Sequence, residues 1–136
     1  MGVEGYDVRN VLVADDDPLT LELLRFALRR ASWTVETCAD GQAALNLCFS
    51  RRFAIAILDI NMPFMTGLEV LEAIQQSGGV PGLSVLMLSA QDLPRDRVRS
   101  DELGAEGFIP KPMDMESVLD MMSSCASQEI TERLAT

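Results

Sequence analysis

Phe53-Ala54-Ile55-Ala56-Ile57-Leu58-Asp59 decides the fold: six apolar residues in a row, then a single carboxylate. A run this short and this continuous fits a strand buried on both faces, as in a parallel sheet covered by helices. Three more runs repeat the pattern. Asn10-Val11-Leu12-Val13-Ala14 leads into Asp15-Asp16, and Leu83-Ser84-Val85-Leu86-Met87-Leu88 leads into Ser89. The short Gly107-Phe108-Ile109 leads into Pro110-Lys111. In open parallel sheets, ligands bind outside the carboxyl ends of the strands. Polar residues at four such ends therefore converge on one crevice.

Between these runs lie helical patterns, giving five strands alternating with five helices and hence a doubly wound α/β domain. Asp17-Pro18 supplies an N-cap and a first-turn proline for helix 1, followed by Leu23, Leu24, Ala27, Leu28 and Ala31 at helical spacing. Thr34–Cys38 reads as strand 2, and Asp40 caps a helix carrying Ala44, Leu47 and Cys48. Helix 3 starts near Thr66, buries Leu68, Leu71 and Ile74, and stops at Gly78-Gly79. Helix 5 opens at Asp114 and presents Met115, Val118, Leu119, Met122 and Cys125 on one face. Helix 4 differs, because between Asp92 and Leu103 only Leu93, Val98 and Leu103 are strongly apolar. Little apolar area holds it down, so it is expected to be the least stable and most movable helix. The domain is expected over residues 8–126, after an N-terminal extension (1–7) and before a polar tail (127–136). Ile130 and Leu134 in that tail are spaced to extend helix 5 or to begin a linker.

Composition narrows the chemistry. The chain's 136 residues suffice for one domain with its own core, without disulfide or structural metal. Cys38, Cys48 and Cys125 are odd in number and lack a Cys-x-x-Cys spacing, so they read as small buried hydrophobes in a reducing compartment. No apolar stretch is long enough to span a membrane, and the first residues lack a signal-peptide core, so a soluble cytoplasmic protein is expected. A net charge of −10 disfavours nucleic acid or anionic lipid as a partner of this segment. The absence of histidine removes most nucleophile–base catalysis, the usual zinc sites and any phosphohistidine relay within the chain.

What remains is carboxylate and phosphoryl chemistry. Three carboxylates within about 4–6 Å raise one another's pKa unless a cation joins them. Hard oxygen ligands on rigid strand ends suit Mg²⁺, which takes one or two carboxylates plus phosphate oxygens. Asp59, alone at the end of a central strand, is the candidate nucleophile, and attack on phosphorus would give an aspartyl-phosphate. Lys111 is the only lysine beside ten arginines; it brings a point charge for one phosphoryl oxygen, and Ser89 a donor for another. Asp17 reads as a helix cap.

Four segments carry a resemblance: Val11-Leu12-Val13-Ala14-Asp15-Asp16-Asp17-Pro18, Leu58-Asp59-Ile60-Asn61-Met62-Pro63-Phe64-Met65-Thr66-Gly67, Leu88-Ser89-Ala90 and Phe108-Ile109-Pro110-Lys111-Pro112. In this order and at these separations they resemble the receiver domain of two-component response regulators over about residues 8–126. The resemblance implies a flavodoxin-like sheet of order 2-1-3-4-5. It makes Asp59 the phosphoacceptor, taking its phosphoryl group from a histidine kinase or histidine phosphotransfer protein. It makes Asp15, Asp16, Asp59 and the backbone carbonyl of Asn61 the Mg²⁺ ligands, and Lys111 the phosphoryl contact. Ser89 and Phe108 match the switch pair, and Asn61 and Gln91 sit where relatives tune the hydrolytic water. The Lys111–Pro112 bond is a candidate for cis geometry. Phe108 departs from members with tyrosine there, which removes a hydroxyl that a partner would bind. The implied output is a change in the helix 4–strand 5–helix 5 surface, read by an output domain or downstream protein or by a second copy in a homodimer. Such a domain is a switch that catalyses only its own phosphorylation and dephosphorylation, not a turnover enzyme.

Each residue also has an ordinary reading. Asp15-Asp16 are turn and capping acids, Lys111 a solvated charge, Ser89 a post-strand turn residue, Phe108 and Trp33 core. Arg95, Arg97 and Arg99 read as a solvated face paired with Asp96, Asp101 and Glu102. Met62, Met65, Met113, Met115, Met121 and Met122 offer either core packing or an adaptable partner surface. Two functional rivals stand beside the switch. A Mg²⁺-dependent phosphohydrolase of the haloacid-dehalogenase type wants its nucleophile on strand 1 and a second Asp two residues on, where this chain has Asn61. A receiver that is never phosphorylated would serve only as a scaffold. Flavin binding wants a Ser/Thr/Gly-rich loop after strand 1, where Asp15-Asp16-Asp17 carry the opposite charge.

Overall fold

The computed structural model describes residues 9–135, with side chains through Cys125. The expected N-terminal extension (1–7) and the side chains of the tail, Ile130 and Leu134 among them, lie outside the described residues. The elements alternate strictly: β1 Asn10–Ala14, α1 Pro18–Arg30, β2 Thr34–Cys38, α2 Gly41–Ser50, β3 Ile55–Asp59, α3 Gly67–Gln76, β4 Ser84–Ser89, α4 Pro94–Glu102, β5 Gly107–Pro110 and α5 Met115–Ala135. The five strands form one parallel sheet in the order β2-β1-β3-β4-β5, as expected.

The continuous apolar runs explain this layout. Successive strand residues face opposite sides, so each run feeds two cores. Val11, Val13, Ile55, Ile57, Leu86 and Leu88 pack with Leu24 and Leu28 of α1 and Val118 and Met122 of α5. Leu12, Ala14, Ala56, Leu58, Val85 and Met87 pack with Ala44 and Cys48 of α2 and Val70, Leu71 and Ile74 of α3. Trp33 is buried in the first cluster.

Local signals set the helix starts. Asp17 caps α1, accepting from the Leu19 N–H at 3.2 Å and the Thr20 hydroxyl at 2.8 Å. Asp40 accepts from the Ala43 N–H, and Thr66 and Glu69 form a reciprocal capping box on α3. Asp114, just ahead of α5, accepts from the Glu116 N–H and the Ser117 hydroxyl. Only α4 among these starts without a side-chain cap, at Leu93, and its one buried residue is Ser100. Val98 is 57% exposed.

Two expectations need correction, on α1 and on the α4 arginines, and one open alternative, on the methionines, is decided. Leu23 is 48% exposed, and Leu21 packs toward the core in its place. Helix α1 is apolar on several sides, so spacing alone did not single out the sheet-facing stripe. The six methionines named above take the core reading: Met62 and Met122 are buried, and Met65, Met113, Met115 and Met121 pack half-buried against the two clusters. The α4 arginines have other partners than expected. Arg97 pairs with Asp92 and Arg99 with Glu72 of α3, and only Arg99–Glu102 matches the expected set.

The thiols behave as expected of packed hydrophobes. Burial pushes Cys38 up to about 11, Cys48 up to about 12 and Cys125 up to about 11. None is a thiolate at neutral pH. Among the described residues, no helix is long and apolar enough to cross a membrane.

Candidate functional site

The register of the sheet assembles the site. Ala14 of β1 stands beside Leu58 of β3, so the next residues, Asp15 and Asp59, emerge side by side. Asp59 pairs with Leu88 and Ser89 with Pro110, which brings the ends of β4 and β5 to the same edge. The acids and the lysine predicted from the sequence meet there. One carboxylate oxygen from each of Asp15, Asp16 and Asp59 lies within 4.8 Å of the other two. Asp15 and Asp59 are buried and Asp16 is exposed.

Lys111 Nζ reaches into this cluster, 2.7 Å from Asp15 Oδ2 and 3.4 Å from Asp59 Oδ2. Asp15 Oδ1 accepts from the Asp17 N–H at 2.9 Å, and Asp59 Oδ1 accepts a long 3.4 Å bond from the Asn61 N–H. Asp15 Oδ2 is fully buried and no donor is aligned on it as a hydrogen bond, so the ammonium is its sole compensation among the described residues. The peptide bond that turns the chain after Lys111 is cis, Lys111–Pro112.

One ammonium facing three carboxylates leaves the cluster electrostatically short of positive charge. The consequence falls on Asp59, whose pKa is pushed up to about 6. Burial is the largest cause and the Asp15 charge the second, with Lys111 opposing both. Burial alone would lower the Lys111 pKa, but its contacts with Asp15 and Asp59 outweigh that and move it upward. Asp17 shifts downward, chiefly through the Thr20 hydroxyl bond, as befits a cap held ionised.

The donor set fits a small hard dication. All the available ligand atoms are oxygens, one buried carboxylate oxygen lacks a hydrogen bond, and the cluster needs charge. Asp15, Asp16 and Asp59, with the adjacent backbone of Asn61, are the residues that would hold Mg²⁺.

Gly67 fixes the far wall. A side-chain carbon there would lie 2.3 Å from the Asp59 carbonyl oxygen, so glycine alone lets the α3 N-terminus sit against the end of β3. Ser89 is at the site's edge but turned to its own loop. Its Oγ donates to the Gln91 carbonyl at 2.6 Å and accepts from the Gln91 N–H at 3.1 Å. Phe108 is half-buried, packed against the α2/α3-side core. Over its ring lies the Arg97 guanidinium, with Cζ 4.6 Å from the ring centroid. That contact was not visible in the sequence. Phe64, given no role by the sequence, is 91% exposed in the loop after Asp59, with a left-handed φ of 67°.

A family profile described as "Response regulator receiver domain" matches residues 11–123. The chain belongs to that family. The receiver domain is 36% identical over 109 residues to the "Probable transcriptional regulatory protein TcrX" of Mycobacterium tuberculosis, a match covering 80% of this chain and 46% of that protein. It thus spans about half the length of the curated relatives it matches. Among solved structures, the chemotaxis response regulator CheY4 of Vibrio cholerae superposes with a TM-score of 0.79 at 31% identity, covering 87% of this chain and 98% of that one. The receiver domain of the sensor histidine kinase PA1611 from Pseudomonas aeruginosa PAO1 shares the fold, with a TM-score of 0.80 at 19% identity over 88% of this chain and 98% of that one. That structure has a magnesium ion coordinated in its active-site cleft.

Proposed function

We propose that this receiver domain, spanning residues 8–126, is a cytoplasmic phosphorylation switch with Asp59 as its acceptor. The observation that carries the reading is the shared ammonium: Lys111 Nζ lies 2.7 Å from Asp15 and 3.4 Å from Asp59, at the ends of strands that adjoin in the sheet. An acceptor carboxylate needs a cation in place before a second anion arrives, and this arrangement provides one.

The donor is a phosphohistidine on a histidine kinase or histidine phosphotransfer protein. A carboxylate oxygen of Asp59 attacks phosphorus, the P–O bond forms as the P–N bond breaks, and the electron pair stays on the imidazole nitrogen, which takes up a proton from solvent. Mg²⁺, held by Asp15, Asp16, Asp59 and the Asn61 carbonyl, supplies positive charge to offset that of the carboxylates and the phosphoryl oxygens. Lys111 pairs with a phosphoryl oxygen. Ser89 leaves Gln91 and donates to another, and Asn61 and Gln91 control the approach of water. No acid–base residue is required for transfer, which suits a chain without histidine.

The product adds about −1.5 to −2 charge units at one strand end. Shifting a two-state surface from 1:99 to 99:1 takes about 5.5 kcal/mol of preference for the active state. The surface so biased is α4–β5–α5, with thinly anchored α4 as its mobile part. It signals to an output domain or downstream protein, or pairs with a second copy. Similarity to the probable transcriptional regulatory protein TcrX supports a transcriptional output.

The test is transfer itself. A histidine phosphotransfer protein carrying labelled phosphohistidine, mixed with the domain and Mg²⁺, should pass label to the wild type and not to Asp59→Ala. Label remaining on histidine with every donor tried would favour the scaffold reading.

A further inference from the structure

We infer that Asp92, Arg97 and Phe108 form a latch that holds the unphosphorylated conformation. The inference rests on the proposed acceptor role of Asp59 and adds a regulatory contact specific to this chain. Its parts are contiguous. Ser89 closes a tight turn on Gln91 through two hydrogen bonds, and Asp92 is the next residue. The Asp92 carboxylate accepts from Arg97 Nε of α4, and the guanidinium so tethered lies over the Phe108 ring. Ser89 and Phe108 face the same side of the sheet: Ser89 follows Val85 and Met87 in the strand alternation, and Phe108 packs in the same cluster as both.

The switch pair implies two movements, Ser89 turning toward the phosphoryl group and Phe108 turning into the space it leaves, and this geometry makes both costly for the same reason. When the Ser89 hydroxyl turns toward Asp59 it leaves the Gln91 backbone, and the turn that positions Asp92 loosens. When Phe108 swings inward it leaves the guanidinium. Either movement alone breaks a contact that the other helps to hold, so the latch ties them together. It also fastens α4 to β5. Arg97 and Phe108 line the open groove between those elements with Val98, Asp101 and Glu106, and α4 has little other burial to hold it. A surface ion pair alone would contribute little. Here it matters by orienting a flat guanidinium for stacking, a task lysine does poorly.

The experiment measures the apparent affinity of the full chain for beryllofluoride, a tetrahedral phosphoryl mimic, in the presence of Mg²⁺. A latch lowers the fraction of competent molecules and therefore the apparent affinity. Arg97→Gln should tighten beryllofluoride binding by roughly two- to five-fold, the weight of a partly exposed cation–π contact. Arg97→Lys should give a smaller gain. Loss of a positive charge would by itself weaken an anion, so the direction separates the latch from bulk electrostatics. In a Phe108→Leu background, Arg97→Gln should change nothing further. Equal or weaker binding by Arg97→Gln, or the same gain in Phe108→Leu, overturns the latch. A wild type that binds no beryllofluoride with Mg²⁺ would overturn the phosphoacceptor reading, and the latch with it.

Discussion

Replacing Asp59 by asparagine should make the metal-free domain more stable at neutral pH. The residue is 3% exposed, and its pKa rises from 3.8 to about 6 on folding. A carboxyl with a raised folded-state pKa stabilises fully below its unfolded value, and that stability is lost as pH rises through the folded value. The loss therefore runs from about pH 4 to just above pH 6. At roughly 1.4 kcal/mol per pKa unit, the ionised group costs the folded state on the order of 2–3 kcal/mol above that window. Asparagine keeps the shape and removes the charge, so Asp59→Asn should regain about 2 kcal/mol at pH 7.5, or roughly 5–8 °C in Tm for a domain of this size. Urea unfolding followed by circular dichroism, in EDTA, measures it directly. At pH 4 the wild-type group is already protonated in the folded state, and the advantage should shrink to near zero. Equal stability of the two proteins at pH 7.5, or an advantage unchanged at pH 4, would refute the reasoning.

Other consequences can be checked in the same way. Millimolar Mg²⁺ should raise the wild-type Tm by binding the folded state, and Asp16→Asn should abolish most of the rise; a flat thermal curve across that range in the wild type would remove the metal site. Gly67→Ala forces a methyl into the Asp59 carbonyl, so it should cost about 1–3 kcal/mol by overpacking and slow phosphorylation from a small donor; wild-type behaviour on both counts would show that α3 can retreat. Hydrogen exchange on adding a phosphoryl mimic should change most over residues 89–112, and much less in Ser89→Ala; changes confined to the neighbourhood of Asp15, Asp16 and Asp59 would break the proposed route through α4.

The sheet could be read from the chain because its strands are buried on both faces, which writes them as unbroken apolar runs with polar residues where each strand meets solvent. Lys111 stood out for a different reason, as a lone lysine in an arginine-rich composition at the end of such a run. Contacts between elements were less legible. Leu19, Leu21, Leu23, Leu24 and Phe26 surround α1 with apolar side chains, and only the sheet's position shows that Leu21 and Leu24 face inward while Leu23 faces out. The partners of Arg97 depend on how α4 leans on β5, and no periodicity encodes that lean. The Ser89 hydroxyl likewise has a local backbone partner in Gln91 that its position at a strand end does not announce.

Intact mass of the wild type and of Asp59→Ala, after incubation with Mg²⁺ and a small-molecule phosphodonor, tests the central claim most directly. The wild type should gain the mass of one phosphoryl group and lose it on treatment with hydroxylamine or base, as an acyl phosphate does, while Asp59→Ala stays unmodified. A hydroxylamine-stable adduct, or an equal gain in Asp59→Ala, would contradict the assignment of Asp59 as the acceptor.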